Sequence, residues 1–144
     1  MHNKVTVLNL QKNVEIDTRS LLAFAKKLPG KATGAKTDTF SVAFVTDDSM
    51  WRTNWAFRGK DSTTDVLSFP HVPDDFDPDK NNLGDIVISA DQAAKQAGEN
   101  GVTLENEIRQ LILHGVLHLC GYDHETDSGE MDARELELRK KLGI

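Results

Sequence analysis

Three of the five histidines in this 144-residue chain, His114, His118 and His124, fall within eleven residues, where an even scatter would put less than one. Their spacing, H-x3-H-x5-H, suits metal binding. Four residues apart on a helix, His114 and His118 stand on one face with Cβ atoms roughly 5–6 Å from each other. Zn–N bonds of about 2.0–2.1 Å require nitrogens that converge on one point, and a rigid i, i+4 pair supplies two of them. Gly121 permits a reversal after the helix, Tyr122-Asp123 carries the turn, and His124 comes back over the helix end as the third ligand. One coordination position then stays open for water. That opening separates a catalytic zinc from a structural one, which usually has four protein ligands rich in cysteine. The single cysteine, Cys120, lies two residues after His118 and points about 200° away from it around the helix. It therefore reads as a small hydrophobe rather than a ligand. Zn2+, one ion on three histidines plus water, is the expected cofactor, although the same donors accommodate nickel or other transition ions.

His118 sits in the last turn of its helix, where unsatisfied carbonyls favour a dication and repel a bare phosphate. An anionic substrate approaching this end needs a further cation besides the metal. Arg58 is the candidate, at the close of Asn54-Trp55-Ala56-Phe57-Arg58-Gly59-Lys60-Asp61, where a guanidinium presents a two-pronged fork to a phosphodiester. Metalloprotease helices carry glutamate directly after the first histidine (H-E-x-x-H); here that position is Gly115, so peptide hydrolysis by that route lacks its proton acceptor. Asp65, Asp85 and Asp123 are candidate acceptors for the ligand N–H groups, each equally readable as a turn or cap residue. The general base is left unassigned.

The elements that must position these residues are legible in the pattern. Strands are expected over Val5–Leu10, Phe40–Val45, Asp65–Pro70 and Asp85–Ser89. A first helix runs from a cap at Asp17 or Thr18 through Leu21, Leu22, Ala25 and Leu28 to Pro29-Gly30. A second, N-capped by Asp47-Asp48-Ser49, carries Met50, Trp51, Asn54, Trp55 and Phe57. Residues 71–82 read as an exposed acidic loop with Pro73 and Pro78. Ala90–Glu99 is a helix closed by Asn100-Gly101. Thr103–Leu119, apolar around most of its C-terminal half, should lie in the middle of the fold. Asp127 with Glu130 resembles a capping box for a last helix to about Leu142. Four strands and about five helices make an α+β (mixed α/β) fold, expected as one domain over residues 1–144, since a chain of this length buries a sizeable core.

Charge sharpens the picture. Residues 1–36 hold 7 Lys/Arg and 2 Asp/Glu, a net of +5, and residues 37–144 hold 10 and 21, a net of −11. A chain with a formal charge of −6 argues against purely electrostatic nucleic-acid binding but leaves room for a local basic face beside a specific site. A lone cysteine suits a reducing compartment. The start, Met1-His2-Asn3-Lys4-Val5-Thr6, shows no basic head followed by an apolar run, and no stretch is long enough to span a bilayer, so a cytoplasmic location without membrane contact is expected.

The segment His114-Gly115-Val116-Leu117-His118-Leu119-Cys120-Gly121-Tyr122-Asp123-His124 resembles the signature of the YbeY endoribonucleases, bacterial rRNA maturation factors with a zincin-like fold. Asn54 to Asp61, Thr64-Asp65-Val66-Leu67-Ser68-Phe69-Pro70 and Gly84-Asp85-Ile86 resemble that family's other hallmark segments in the same order. The resemblance runs from about residue 50 to the C-terminus. It implies a zincin-like domain built around a central metal-bearing helix. The implied activity is a metal-dependent, single-strand-specific endoribonuclease acting in 16S rRNA 3′-end maturation and ribosome quality control, with RNA and the small ribosomal subunit as partners. It also implies zinc on His114, His118 and His124, with Arg58 engaging the RNA phosphate. Thr63 departs from the pattern, standing where proline is expected before Thr64-Asp65, and this should loosen the turn that presents Arg58. The competing readings are a metal-dependent hydrolase of another substrate and a ribosome-associated assembly factor with a structural zinc.

Overall fold

A computed structural model describes residues 4–144; Met1, His2 and Asn3, part of the stretch inspected for a leader, lie outside the described residues. The elements run β1 (Thr6–Asn9), α1 (Thr18–Ala25), β2 (Thr39–Val45), α2 (Asp47–Arg58), β3 (Val66–Pro70), β4 (Asn82–Ser89), α3 (Ala90–Asn100), α4 (Leu104–Leu119) and α5 (Glu130–Leu142). The sheet order is β1-β2-β4-β3. β1, β2 and β4 are parallel, and β3 is an antiparallel edge strand on β4, with Val66 opposite Ile88 and Pro70 opposite Gly84. This is the α+β arrangement of four strands and five helices that the pattern implies.

Alternation along the strands decides which face is covered. Phe40, Val42 and Phe44 of β2 and Ile86 and Ile88 of β4 are buried, whereas Ser41, Ala43, Asp85 and Val87 between them are partly or fully open. The buried face packs into one core with Leu21, Phe24 and Leu28 from the α1 region and Ile108, Ile112, Leu113, Val116 and Leu117 from α4. α4 touches β3, β4, α1, α3 and α5, so it occupies the centre that its near-complete apolar circumference requires. Its approach to the sheet depends on Gly115: a Cβ there would lie 2.9 Å from Cγ2 of Ile86, well inside van der Waals contact.

Several boundaries differ from those expected, each for a local reason. Thr46, not Asp47 to Ser49, caps α2, its hydroxyl accepting from Ser49 N. Asp47 is thereby freed to accept from Ser89 Oγ and Gln92 Nε2 at the start of α3. β4 begins three residues early, at Asn82, because a register shift lets Thr39 pair with Asn82 while Ser41 pairs with Asp85. The start of α5 is displaced by two residues from the expected capping box. Gly129 is the cap position, Asp127 accepts from Gly129 N and Met131 N, and the Glu130 carboxylate accepts from Ser128 N. Among the described residues, no helix is long and apolar enough to cross a membrane.

Candidate metal centre and cleft

The end of α4 sets the geometry. Gly121, at φ +98°, adopts a conformation that only glycine takes cheaply. With it there, Gly121 N donates to His118 O and Tyr122 N to Leu117 O, the paired bonds that turn a chain sharply off a helix. Asp123 then holds the next turn, accepting from Glu125 N through its side chain and from Thr126 N and Asp127 N through its carbonyl. His124 is thereby carried back over the helix end. The ring centroids of His114, His118 and His124 form a triangle of 4.7, 5.2 and 5.5 Å. One nitrogen from each ring lies within 4.8 Å of the other two.

The proton positions follow from the partners. His114 Nδ1 faces Glu135 Oε1 at 2.8 Å, and His118 Nδ1 faces the Tyr122 carbonyl at 3.0 Å. Both partners only accept, so both Nδ1 atoms carry hydrogen and both Nε2 atoms of the neutral rings carry lone pairs. Those two Nε2 atoms are 3.1 Å apart. Facing lone pairs repel at that distance unless a cation sits between them, and a tetrahedral ion with bonds of 2.0–2.1 Å needs its nitrogens about 3.3 Å apart. The donor set therefore fits a transition metal such as zinc. Burial pushes the His118 pKa down, and the neighbouring His114 lowers it further, which keeps the ring in its ligating form.

Glu135, on α5, is the residue that sequence reasoning missed. Burial raises its pKa, but the hydrogen bond from His114 and the charge of Arg139 outweigh burial and hold the carboxyl below its usual range. Its other oxygen accepts from Arg139 Nη2 at 2.9 Å. A glutamate on a charged helix 21 residues from His114 offers no spacing signal. The acids considered in its place do other work: Asp85 accepts from Ser41 Oγ on the open face of the sheet, Asp65 accepts from Thr64 Oγ1 and Asp123 shapes the turn. Cys120 points away from the histidines, its Sγ 4.0 Å from the Ala32 carbonyl, and burial raises its thiol pKa.

Arg58, the last residue of α2, lies on the same cleft as the three histidines. This cleft, of about 610 Å³, is walled by the edge strand β3 on one side and by the Gly121–Glu125 turn on another. Ser68 Oγ of β3 donates to the Gly115 carbonyl at 3.3 Å, and Phe57 meets Phe69 edge-to-face with centroids 5.3 Å apart, so α2, β3 and α4 are braced together. The turn after Arg58 is not loose. Gly59 leaves the helix at φ +65°, and the following residues are tied back along α2: Asp61 accepts from Trp51 Nε1, Ser62 O from Asn54 Nδ2, and Thr63 Oγ1 donates to Asp47. Thr63 thus supplies by a hydrogen bond part of the restraint that a proline ring would give. Gly115, pressed against Ile86, leaves no room after His114 for the glutamate that metalloproteases use.

Fold and site together define a small α+β protein with an open three-histidine centre at a helix terminus and an arginine across the same cleft. The family model described as endoribonuclease YbeY matches residues 3–143. The chain belongs to the YbeY family. It is 49% identical over 114 residues to the endoribonuclease YbeY of Koribacter versatilis, covering 79% of this chain and 70% of that one. It is 41% identical over 139 residues to that of Geobacter sulfurreducens, covering 96% and 91%. The solution structure of TM1509 from Thermotoga maritima superposes with a TM-score of 0.64 at 28% identity, over 96% of this chain and 88% of the other.

Proposed function

We propose that this chain is a single-domain, zinc-dependent, single-strand-specific endoribonuclease that acts in the cytoplasm on 16S rRNA 3′ ends within small-subunit maturation and quality control. The observation that carries the reading is the convergence of His114, His118, His124 and Arg58 on one cleft. Family membership supports the RNA substrate, because the relatives named above are endoribonucleases.

His114, His118 and His124 would hold the ion, which when bound supplies a Lewis acid that polarises a phosphoryl oxygen and lowers the pKa of its water toward about 7. Glu135 and the Tyr122 carbonyl keep the ligand rings turned inward in the correct tautomer. Arg58 binds a non-bridging phosphate oxygen pair and takes up charge as it develops in the transition state. The turn that follows Arg58 is tied back to α2 by the Trp51, Asn54 and Thr63 bonds, which fixes the backbone from which the guanidinium extends. The β3 wall of the cleft is joined to α4 by the Ser68 bond.

The test is cleavage of unstructured RNA by the zinc-loaded chain and by Arg58→Ala and His114→Ala. Arg58→Ala should keep metal content and melting temperature and lose about 10²–10³ in kcat, the scale for removing one preorganised charge-stabilising donor. His114→Ala should lose metal and cleavage together. Full cleavage by Arg58→Ala removes that residue from the site. Metal-dependent stability without RNA cleavage by the parent would favour an assembly factor with structural zinc.

A further inference from the structure

Arg58 ends a stripe of three residues on α2. At 3.6 residues per turn, Trp51, Trp55 and Arg58 (i, i+4, i+7) fall within an arc of about 60° on one helix face. Both indoles are open, Trp51 by 47% and Trp55 by 58%, and they are the chain's two tryptophans. Large exposed aromatics carry a solvation cost, so a paired exposure beside a cleft asks for an occupant. The Trp51 ring is oriented, since its Nε1 donates to Asp61 Oδ1 at 2.8 Å, in the turn that follows Arg58. The two rings share a shallow groove of about 320 Å³ with Asp48, Arg52 and Asp61. Both acids there are already engaged, Asp48 by Arg52 and Asp61 by Trp51.

Distance along the helix axis fits a strand of nucleotides. With a rise of 1.5 Å per residue, Trp55 stands about 4.5 Å and Trp51 about 10.5 Å from Arg58, within one to three stacked nucleotides. We propose that Trp51 and Trp55 form a base-stacking platform for the unpaired nucleotides that flank the phosphate held at Arg58. The inference rests on the RNA-cleaving reading above and deepens it: base faces are available in a single strand and hidden in a duplex, so the platform selects unpaired substrate by stacking. The occupant is RNA rather than a protein because the stripe ends at Arg58, which lines the histidine cleft. In addition, charged groups surround two isolated rings here, whereas a stable protein interface needs roughly 800 Å² per partner around an apolar centre.

Having both tryptophans on this face makes intrinsic fluorescence a direct readout. The zinc-loaded full chain is mixed in stopped flow with an unstructured, adenine-rich RNA oligonucleotide and, separately, with a fully paired hairpin. Saturable quenching by the first and none by the second is expected before turnover. Trp55→Ala should raise KM for the unstructured RNA about fivefold or more, with the loss on KM rather than kcat, and Trp55→Phe should recover most of it; Trp51→Ala, which also removes the bond to Asp61 in the turn after Arg58, should raise KM by a similar factor. RNA cleavage by the parent with unquenched fluorescence and unmoved KM in the alanine variants overturns the platform while leaving the nuclease reading intact. A parent that neither binds nor cleaves RNA overturns both. If the substitutions abolish association with another protein and leave KM for RNA alone, the face is a protein dock and the inference is wrong.

Discussion

Replacing Glu135 by alanine tests whether α5 belongs to the metal centre or merely packs against it. The carboxylate is largely enclosed, its side chain 13% exposed, and accepts from His114 Nδ1 at 2.8 Å and from Arg139 Nη2 at 2.9 Å. Removing it frees the His114 ring to rotate, leaves Nδ1–H without its acceptor and makes the Nε2 lone pair less basic. Loss of such an outer partner typically costs 10–100-fold in metal affinity, or about 1.4–2.8 kcal/mol. Glu135→Gln should fall between, because its amide oxygen still accepts from His114 while its amide N–H is set against Arg139 Nη2. Zinc affinity is measured by competition with a chromogenic chelator, and the fold of each metal-free variant is checked by circular dichroism. Folded Glu135→Ala that binds zinc within about twofold of the parent would refute the argument, since a packing residue alone would leave affinity unmoved.

Other expectations follow from geometry. Gly84→Ala would place a Cβ 2.2 Å from the Phe69 carbonyl at φ +135°, so the β3–β4 pair must shift; a cost of about 3 kcal/mol, read as a melting temperature lower by roughly 10 °C, is expected. An unchanged melting curve would mean that β3 is not held in this register. Thr63→Val keeps the side-chain shape and removes the hydroxyl donated to Asp47, which should cost about 1 kcal/mol in thermal unfolding. In the metal-free protein, the depressed His118 pKa means that the unfolded chain binds the proton more readily than the folded one. Stability is therefore complete above the ordinary value of 6.5 and declines as pH falls below it, and the depressed Glu135 adds a second loss of the same sign below about 4.5. Denaturation midpoints that rise on acidification from pH 7 to 5 would contradict this sign.

Local order was written plainly along the chain. The strand alternation of Phe40–Val45, the apolar wrap of Thr103–Leu119 and the glycines at 30, 101 and 121 place the elements to within a few residues, because periodicity and positive φ are properties of short segments. The i, i+4 pair His114 and His118 and the turn to His124 are legible for the same reason: a helix and one glycine turn suffice to bring those rings together. Where the local reading slipped, at the caps of α2 and α5 and the start of β4, a neighbouring acceptor or a register shift against another strand made the choice.

The parts decided by tertiary packing are those whose partners are far apart in sequence. Glu135 meets His114 only because α5 docks on α4, and no local pattern marks one acid among the many in this acidic chain. Arg58 shares the histidine cleft only because β3 returns antiparallel along β4 and Phe57 seats on Phe69. Gly115 reads from the sequence as a missing glutamate, whereas the packed helix shows its physical cause, the side chain of Ile86 from a strand nearly thirty residues earlier. Periodicity fixes the direction a side chain leaves its own element; which group waits there depends on how the elements pack.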